Sequence, residues 1–110
     1  MLKGMGGLGN MGNLVKQAQK MQRDMAQVQA ELKERVVEGT AGGGTVKAMV
    51  NGHMELVSLK IDPQAVDPDD VEMLEDLILA AVSQALKKAR EMADEAMAKV
   101  TGGMGLPGML

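Results

Sequence analysis

TVKAMVNGHMELVSLKI, running from Thr45 to Ile61, is the stretch that decides the fold. Apolar Val46, Ala48 and Val50 alternate with Lys47 and Met49 in the two-residue period of a half-buried strand. Asn51-Gly52 follows, a hairpin dipeptide whose two-residue turn needs positive φ at both positions. Glu55–Ile61 then returns as a second strand. With a two- or four-residue loop, Val46, Ala48, Val50, Val57, Leu59 and Ile61 share one face. Met49, Met54 and Leu56 share the other with Lys47, Ser58 and Lys60, so that face is half apolar and is also suited to being covered. Upstream, Val36–Ala41 ends at Gly42-Gly43-Gly44 and supplies a third strand of an antiparallel sheet.

The segments on either side change period. Met11, Leu14, Ala18, Met21, Met25, Val28 and Leu32 are spaced alternately three and four residues apart, which builds one apolar seam along a helix. Asn10 or Asn13 can cap its start, and it should run to about Arg35. After the hairpin, Asp67 reads as an N-cap with Pro68 at the first helical position and Asp69 and Asp70 at the positive end of the dipole. Val71, Leu74, Ile78, Ala81, Ala85 and Ala89 form the buried stripe of this second helix, widened by Leu77, Val82 and Leu86. Gly102-Gly103 should end it. The expected fold is α+β in the order α-β-β-β-α, with two long helices. Residues 1–12 and 102–110 are rich in Gly, Met and Leu and read as flexible tails around a domain at 13–101.

Composition narrows the function. The chain has 110 residues, enough for one small domain that an oligomer would help to stabilise. It has no aromatic residue and no cysteine, and 12 methionines supply adaptable apolar volume instead. Thiolate chemistry and disulfides are excluded, which suits a reducing cytoplasm. The glycine-rich start has no secretory character, and the longest apolar run, near Leu77–Val82, is too short to cross a bilayer. His53, the one histidine, falls in or beside the hairpin turn and reads as a turn residue. The acids Asp62, Asp67, Asp69, Asp70, Glu72, Glu75 and Asp76 lack the spacing of a calcium loop and read as caps and solvated groups. No glycine cluster has the spacing of a phosphate loop. The expectation is a cytoplasmic non-enzyme with no metal, cofactor, small-molecule substrate or membrane partner.

Net charge is −3, but the distribution is uneven. Residues 1–30 carry Lys3, Lys16, Lys20 and Arg23 against Asp24 alone, while residues 62–76 are acidic without a cation. Lys16, Lys20 and Arg23 share a stripe of helix one away from the apolar seam. Three cations in a row are as often a solvated face as a binding site, and a symmetric dimer would double them. With no aromatic side chain to stack on bases, backbone contacts on a duplex are favoured over single strands. The seam residues Met21, Met25, Val28 and Leu32, with Met49 and Leu56 on the second sheet face, are the candidate dimer interface.

Three blocks together resemble one family. NLVKQAQKMQRDM (Asn13–Met25), GTVKAMVNGHMELVSLKIDP (Gly44–Pro63) and VEMLEDLILAAVSQALKKA (Val71–Ala89) are similar, in that order, to the YbaB/EbfC family of bacterial nucleoid-associated proteins. The resemblance implies a tightly joined homodimer with protruding helices that binds duplex DNA at the nucleoid, with little sequence dependence. Carried over by position, it makes Lys16, Lys20 and Arg23, and also Lys87, Lys88 and Arg90, candidate DNA contacts. The chain's acidity departs from what a polyanion-binding protein would favour. A reading from another class stays open: a protein–protein adaptor whose exposed seam binds another helix, without DNA.

Overall fold

The computed structural model describes residues 2–102, with side-chain surroundings from Met11 onward. Helix α1 spans Leu2–Glu34, and strands β1 (Val36–Ala41), β2 (Val46–Asn51) and β3 (Leu56–Ile61) follow. Gly42–Gly44 and Pro63–Ala65 form short 3₁₀ turns, and α2 spans Val71–Gly102. The order is the α-β-β-β-α read from the sequence. The sheet is antiparallel with β2 in the centre, and α2 crosses one face over β1 and β2. The molecule is elongated, 82 × 25 × 16 Å.

The core is small because its residues are small. Val46, Ala48 and Val50 point from β2 onto Ala81, Ala85 and Ala89 of α2, and all six are fully buried. Alanine at every fourth position lets the helix backbone lie close to the sheet. Gly39 of β1 completes that approach: a Cβ there would strike the Ala81 carbonyl oxygen and stand 2.5 Å from the Ala85 nitrogen. Gln84 Oε1 accepts from the Thr40 N–H at 2.8 Å, tying the same face of α2 to the edge of β1.

The hairpin differs from the two-residue turn expected at Asn51-Gly52. The left-handed residue is Met54 (φ 62°), and the four residues Gly52–Glu55, the longer of the two loop lengths expected, join the strands, closed by Asn51 N–H to Glu55 O and Met54 N–H to Asn51 O, each 3.0 Å. Asn51, only 3% exposed, uses its side chain to hold the loop open at this length. Its Oδ1 accepts from His53 N–H and Glu55 N–H, and its Nδ2 donates to Glu55 Oε1. Left-handed backbone costs a methionine on the order of 1–2 kcal/mol, and packing of Met54 against the core offsets it. That packing places Met54 with the core, not on the opposite face. A register shift after Met49 sets Leu56 opposite Val50, so Val57 is the extra residue and Leu56 joins the face of Val50.

Both helix starts also differ from expectation. Helix α1 begins at Leu2, so neither Asn10 nor Asn13 caps it and residues 2–12 are helical in place of the expected tail. Extending a nucleated helix adds one hydrogen bond per residue, which carries it through glycines that cost about 1 kcal/mol each. Asp67 and Pro68 form a turn ahead of α2, closed by Asp70 N–H to Asp67 O at 2.9 Å. Asp70 is the cap, accepting from Met73 N–H at 3.1 Å. The tail expected after α2 lies outside the described residues.

Gly39→Ala should lower the urea midpoint by an amount equivalent to about 1–3 kcal/mol, because the helix must lift from the sheet. At Gly12 nothing lies within 4 Å of the place a methyl group would occupy, so Gly12→Ala should instead stabilise α1 by about 1 kcal/mol. Urea unfolding followed by circular dichroism measures both.

Candidate functional site

Helix α1 is rooted at its C-terminal end, and every side chain from Met11 to Lys20 is exposed. Leu32 is 1% exposed and packs on Gly52, where a Cβ would come within 2.6 Å of the Leu32 Cβ. This close approach is why glycine is required at position 52. The Gly52 N–H donates to the Leu32 and Arg35 carbonyl oxygens at 2.8 and 3.1 Å, satisfying acceptors that the helix end leaves open. His53 Nε2 donates to the Gln29 carbonyl oxygen at 2.7 Å. The turn histidine is therefore also a brace for α1.

Beyond the sheet, α2 continues antiparallel to α1. Its position is fixed by Lys88 beside Glu38, Ala89 in the core and Gln29 Nε2 donating to Met97 Sδ at 3.5 Å. Met21, Val28 and Leu32 of α1 and Met92, Ala96 and Val100 of α2 line a cleft of about 740 Å³. Lys20, Asp24, Glu31, Arg35, Glu95 and Lys99 form its two-signed rim. The lower seam is thus met by the chain's own second helix. Leu32 has no surface left for a partner, whereas Met21, Met25 and Val28 are half-buried. The upper seam is bare, with Leu14 62% exposed.

Lys16, Lys20 and Arg23 are all exposed on this rooted helix. Lys20 borders the cleft, and Lys16 lies in the stretch from Met11 to Lys20 where every side chain is exposed. The helix-two cations do not form a matching row. Lys88 Nζ donates to the Glu38 carbonyl oxygen at 2.9 Å, while Lys87 and Arg90 are exposed along the same helix. At 100° per residue these three fan around the helix. Lys20 and Lys88 lie nine residues to either side of the Gln29–Met97 contact, so the two cation groups are on the order of 25–30 Å apart along the rod. One chain does not bring them together.

The other candidates resolve locally. Asp62 accepts from Gln64 N–H and Asp67 from Asp69 N–H, each at 2.9 Å, so these acids close turns. Among the described residues no group of three or more His, Cys, Asp or Glu side chains is placed to hold a metal ion. Among them, too, no helix is long and apolar enough to cross a membrane. Met49 is half-buried and Leu56 exposed, and β3 adds Val57 and Leu59 to the uncovered apolar surface. Leu79, 65% exposed, adds a further apolar side chain on α2. Sequence reading missed the cleft and its α2 wall, although Ala89, Met92, Ala96 and Val100 continue the helix-two stripe past the sheet. It also missed the bracing role of Gly52 and His53, whose partners lie well upstream on α1.

Comparison with known proteins gives a consistent result. The model of the YbaB/EbfC DNA-binding family matches residues 5–104. A nucleoid-associated protein of Alkaliphilus metalliredigens is 55% identical over 106 residues, 96% of this chain and 93% of the relative. One from Acetivibrio thermocellus is 59% identical over 102 residues, 92% of this chain and 90% of its own. Among solved structures, an uncharacterized protein of Helicobacter pylori, HP0035, aligns with a TM-score of 0.60 at 26% identity. That alignment covers 71% of this chain and 90% of the other.

Removing the histidine brace tests how α1 is held. His53→Ala should cost about 0.5–1.5 kcal/mol and speed amide exchange over residues 26–34, leaving β2 protected. Hydrogen exchange read by mass spectrometry distinguishes this from global destabilisation.

Proposed function

This chain belongs to the YbaB/EbfC DNA-binding family, and from that premise we propose that it is a nucleoid-associated homodimer that binds duplex DNA through the phosphate backbone. Binding depends little on base sequence and alters the conformation of the DNA, with consequences for nucleoid organisation and gene expression. Its place is the cytoplasm, at the nucleoid. The observation that carries this reading is the exposed row Lys16, Lys20 and Arg23 on a helix whose root is fixed to the body. The names of the relatives support it. Nothing in the reading needs a catalytic group.

The acidic block at residues 62–76 does not oppose it. Glu72 lies on the order of 50 Å along the rod from Lys20, counted at about 1.5 Å per helical residue through the Gln29–Met97 contact. Screening at physiological salt has a length of about 8 Å, so the acidic end acts only weakly at the basic row. Dimerisation is supported by the apolar surface that α2 leaves uncovered along β3, where Leu59 is 39% exposed, and by exposed Leu79 on α2. Met21, Met25, Val28, Met49 and Leu56 remain candidates for the interface. The bare upper seam at Met11 and Leu14, with exposed Val15 beside it, favours a second reading, an adaptor that binds another protein's helix.

Unrelated duplexes should bind within a few-fold of one another, because phosphate contacts carry no base code. Replacing Lys16, Lys20 and Arg23 by Gln removes three charges per chain. At one phosphate contact each, the dimer's log–log salt slope should flatten by roughly 5. Its melting temperature should hardly change, since exposed substitutions usually stay within about 0.5 kcal/mol. Unchanged affinity and slope would move the site to Lys87 and Arg90. An absence of binding to any duplex at low salt would favour the adaptor.

The dimer is tested separately. Sedimentation at low micromolar concentration should give twice the chain mass, and Leu79→Asp should lower it toward one chain by placing a charge in an apolar interface. A wild-type monomer would overturn the dimer.

A further inference from the structure

We propose that the exposed stretch of α1, Met11–Lys20, is an interaction surface for another copy of this chain, and that it docks there on the acidic end where α2 begins. The α1 surface is amphipathic and uncovered. Met11, Leu14 and Val15 are exposed, and so are Lys16, Lys20 and, just below them, Arg23. Charge identifies the occupant. Residues 62–76 hold seven acids and no cation, whereas residues 1–30 hold four cations and one acid. Between Asp67, Asp69, Asp70 and Glu72 the acidic end also exposes Val66, Val71 and Met73. Each surface thus offers apolar side chains together with the charge that the other lacks.

One chain cannot make this contact within itself. Glu72 lies on the order of 50 Å along the rod from Lys20, and the root at Leu32, Gly52 and His53 keeps α1 from folding back. The acidic end is built before any partner arrives, because Asp67 and Asp70 accept from Asp69 N–H and Met73 N–H at 2.9 and 3.1 Å. The two surfaces differ, so the contact is heterologous, and copies join head to tail into open chains. The dimer proposed above leaves both surfaces available. None of Met21, Met25, Val28, Met49, Leu56 and Leu79 takes part, and Leu79 is seven residues from Glu72, about 10 Å along α2.

The consequence is competition. Lys16, Lys20 and Arg23 can face carboxylates or phosphates, but not both at once. Exposed ion pairs are individually weak, so the contact between copies is reversible. A duplex presents roughly six phosphate charges along the span of the row and displaces it. Away from DNA the basic row is covered by another copy; on DNA it is released. This competition rests on the function proposed above, whereas the association of copies does not.

The intact protein is sedimented, without DNA and at high micromolar concentration, in about 20 mM and about 300 mM salt, where charges are screened over about 20 Å and 6 Å. Every copy carries a net charge of −3, so unspecific electrostatics drive copies apart as salt falls. An ordered contact does the reverse, and the mean mass at low salt should be at least about twice that at high salt. Lys16→Gln with Lys20→Gln should remove the increase. Lys33→Gln with Lys99→Gln, which removes two exposed cations elsewhere, should keep it. Asp69→Asn with Glu72→Gln should remove it as well, although losing two acids weakens the general repulsion. Asp67 and Asp70 stay in place there to hold the turn and cap α2. Leu14→Ser should weaken association at unchanged charge. Circular dichroism checks that each variant is folded, and Glu72→Gln alone serves should the double acidic variant melt early. Equal mass at the two salt concentrations would overturn the proposal. So would low-salt association that survives Asp69→Asn with Glu72→Gln, or that is lost equally with Lys33 and Lys99. A short duplex added at low salt should dissolve the chains of copies. A duplex that binds while they persist would overturn the competition, and a duplex that does not bind bears on the DNA reading alone.

Discussion

The close contact between the α2 backbone and the sheet is the constraint on which the rest of the structure depends. Gly39 leaves no room for a side chain, and Ala81, Ala85 and Ala89 place only methyl groups against β2. Dispersion attraction falls steeply with separation, so small residues at a tight contact can match larger ones at a loose contact. A core of this kind needs no aromatic residue, and the chain has none. Having crossed the sheet at this depth, α2 continues past its end and meets α1.

That geometry divides α1 into two parts. The lower part is held by hydrogen bonds from Gly52 and His53 and by the wall of α2; the upper part is exposed around its whole circumference from Met11 to Lys20. A helix fixed at its root projects the surface from Met11 to Lys20 away from the acidic end of the molecule. The same small core leaves β3 largely uncovered, because α2 lies over β1 and β2. Both kinds of exposure, basic and apolar, therefore follow from one packing arrangement.

Element type and order were legible because they rest on local periodicity. The strand bounds Val36–Ala41 and the stripe Leu74, Ile78, Ala81, Ala85 and Ala89 agree with the structure, whereas Val71, expected at the head of that stripe, is 54% exposed at the first turn of α2. What was not legible depends on distant partners. Asn51-Gly52 looks like a two-residue turn, but Gly52 is glycine because Leu32 lies against it, a contact that no local pattern announces. Asp67 looks like a cap, but its side chain closes the turn containing Pro68 and leaves the cap to Asp70. The cation row could be read, since all three residues share one helix; its isolation from Lys87, Lys88 and Arg90 required the position of α2.

The basic row is sparse by the measure of its proposed partner. Lys16 to Arg23 spans about 10 Å of helix axis, over which a duplex presents roughly six phosphate charges. Three cations neutralise at most half of these, so one helix would hold DNA weakly and release it readily with salt. A second copy adds a second row, but a rooted helix cannot slide its cations toward those of its partner. On the proposed dimer, two such rows on fixed arms would bend the duplex wherever their spacing differs from that of its phosphates. On the proposed reading, altered DNA conformation then follows from the rigidity of the attachment at Leu32, Gly52 and His53, and requires no contact with the bases.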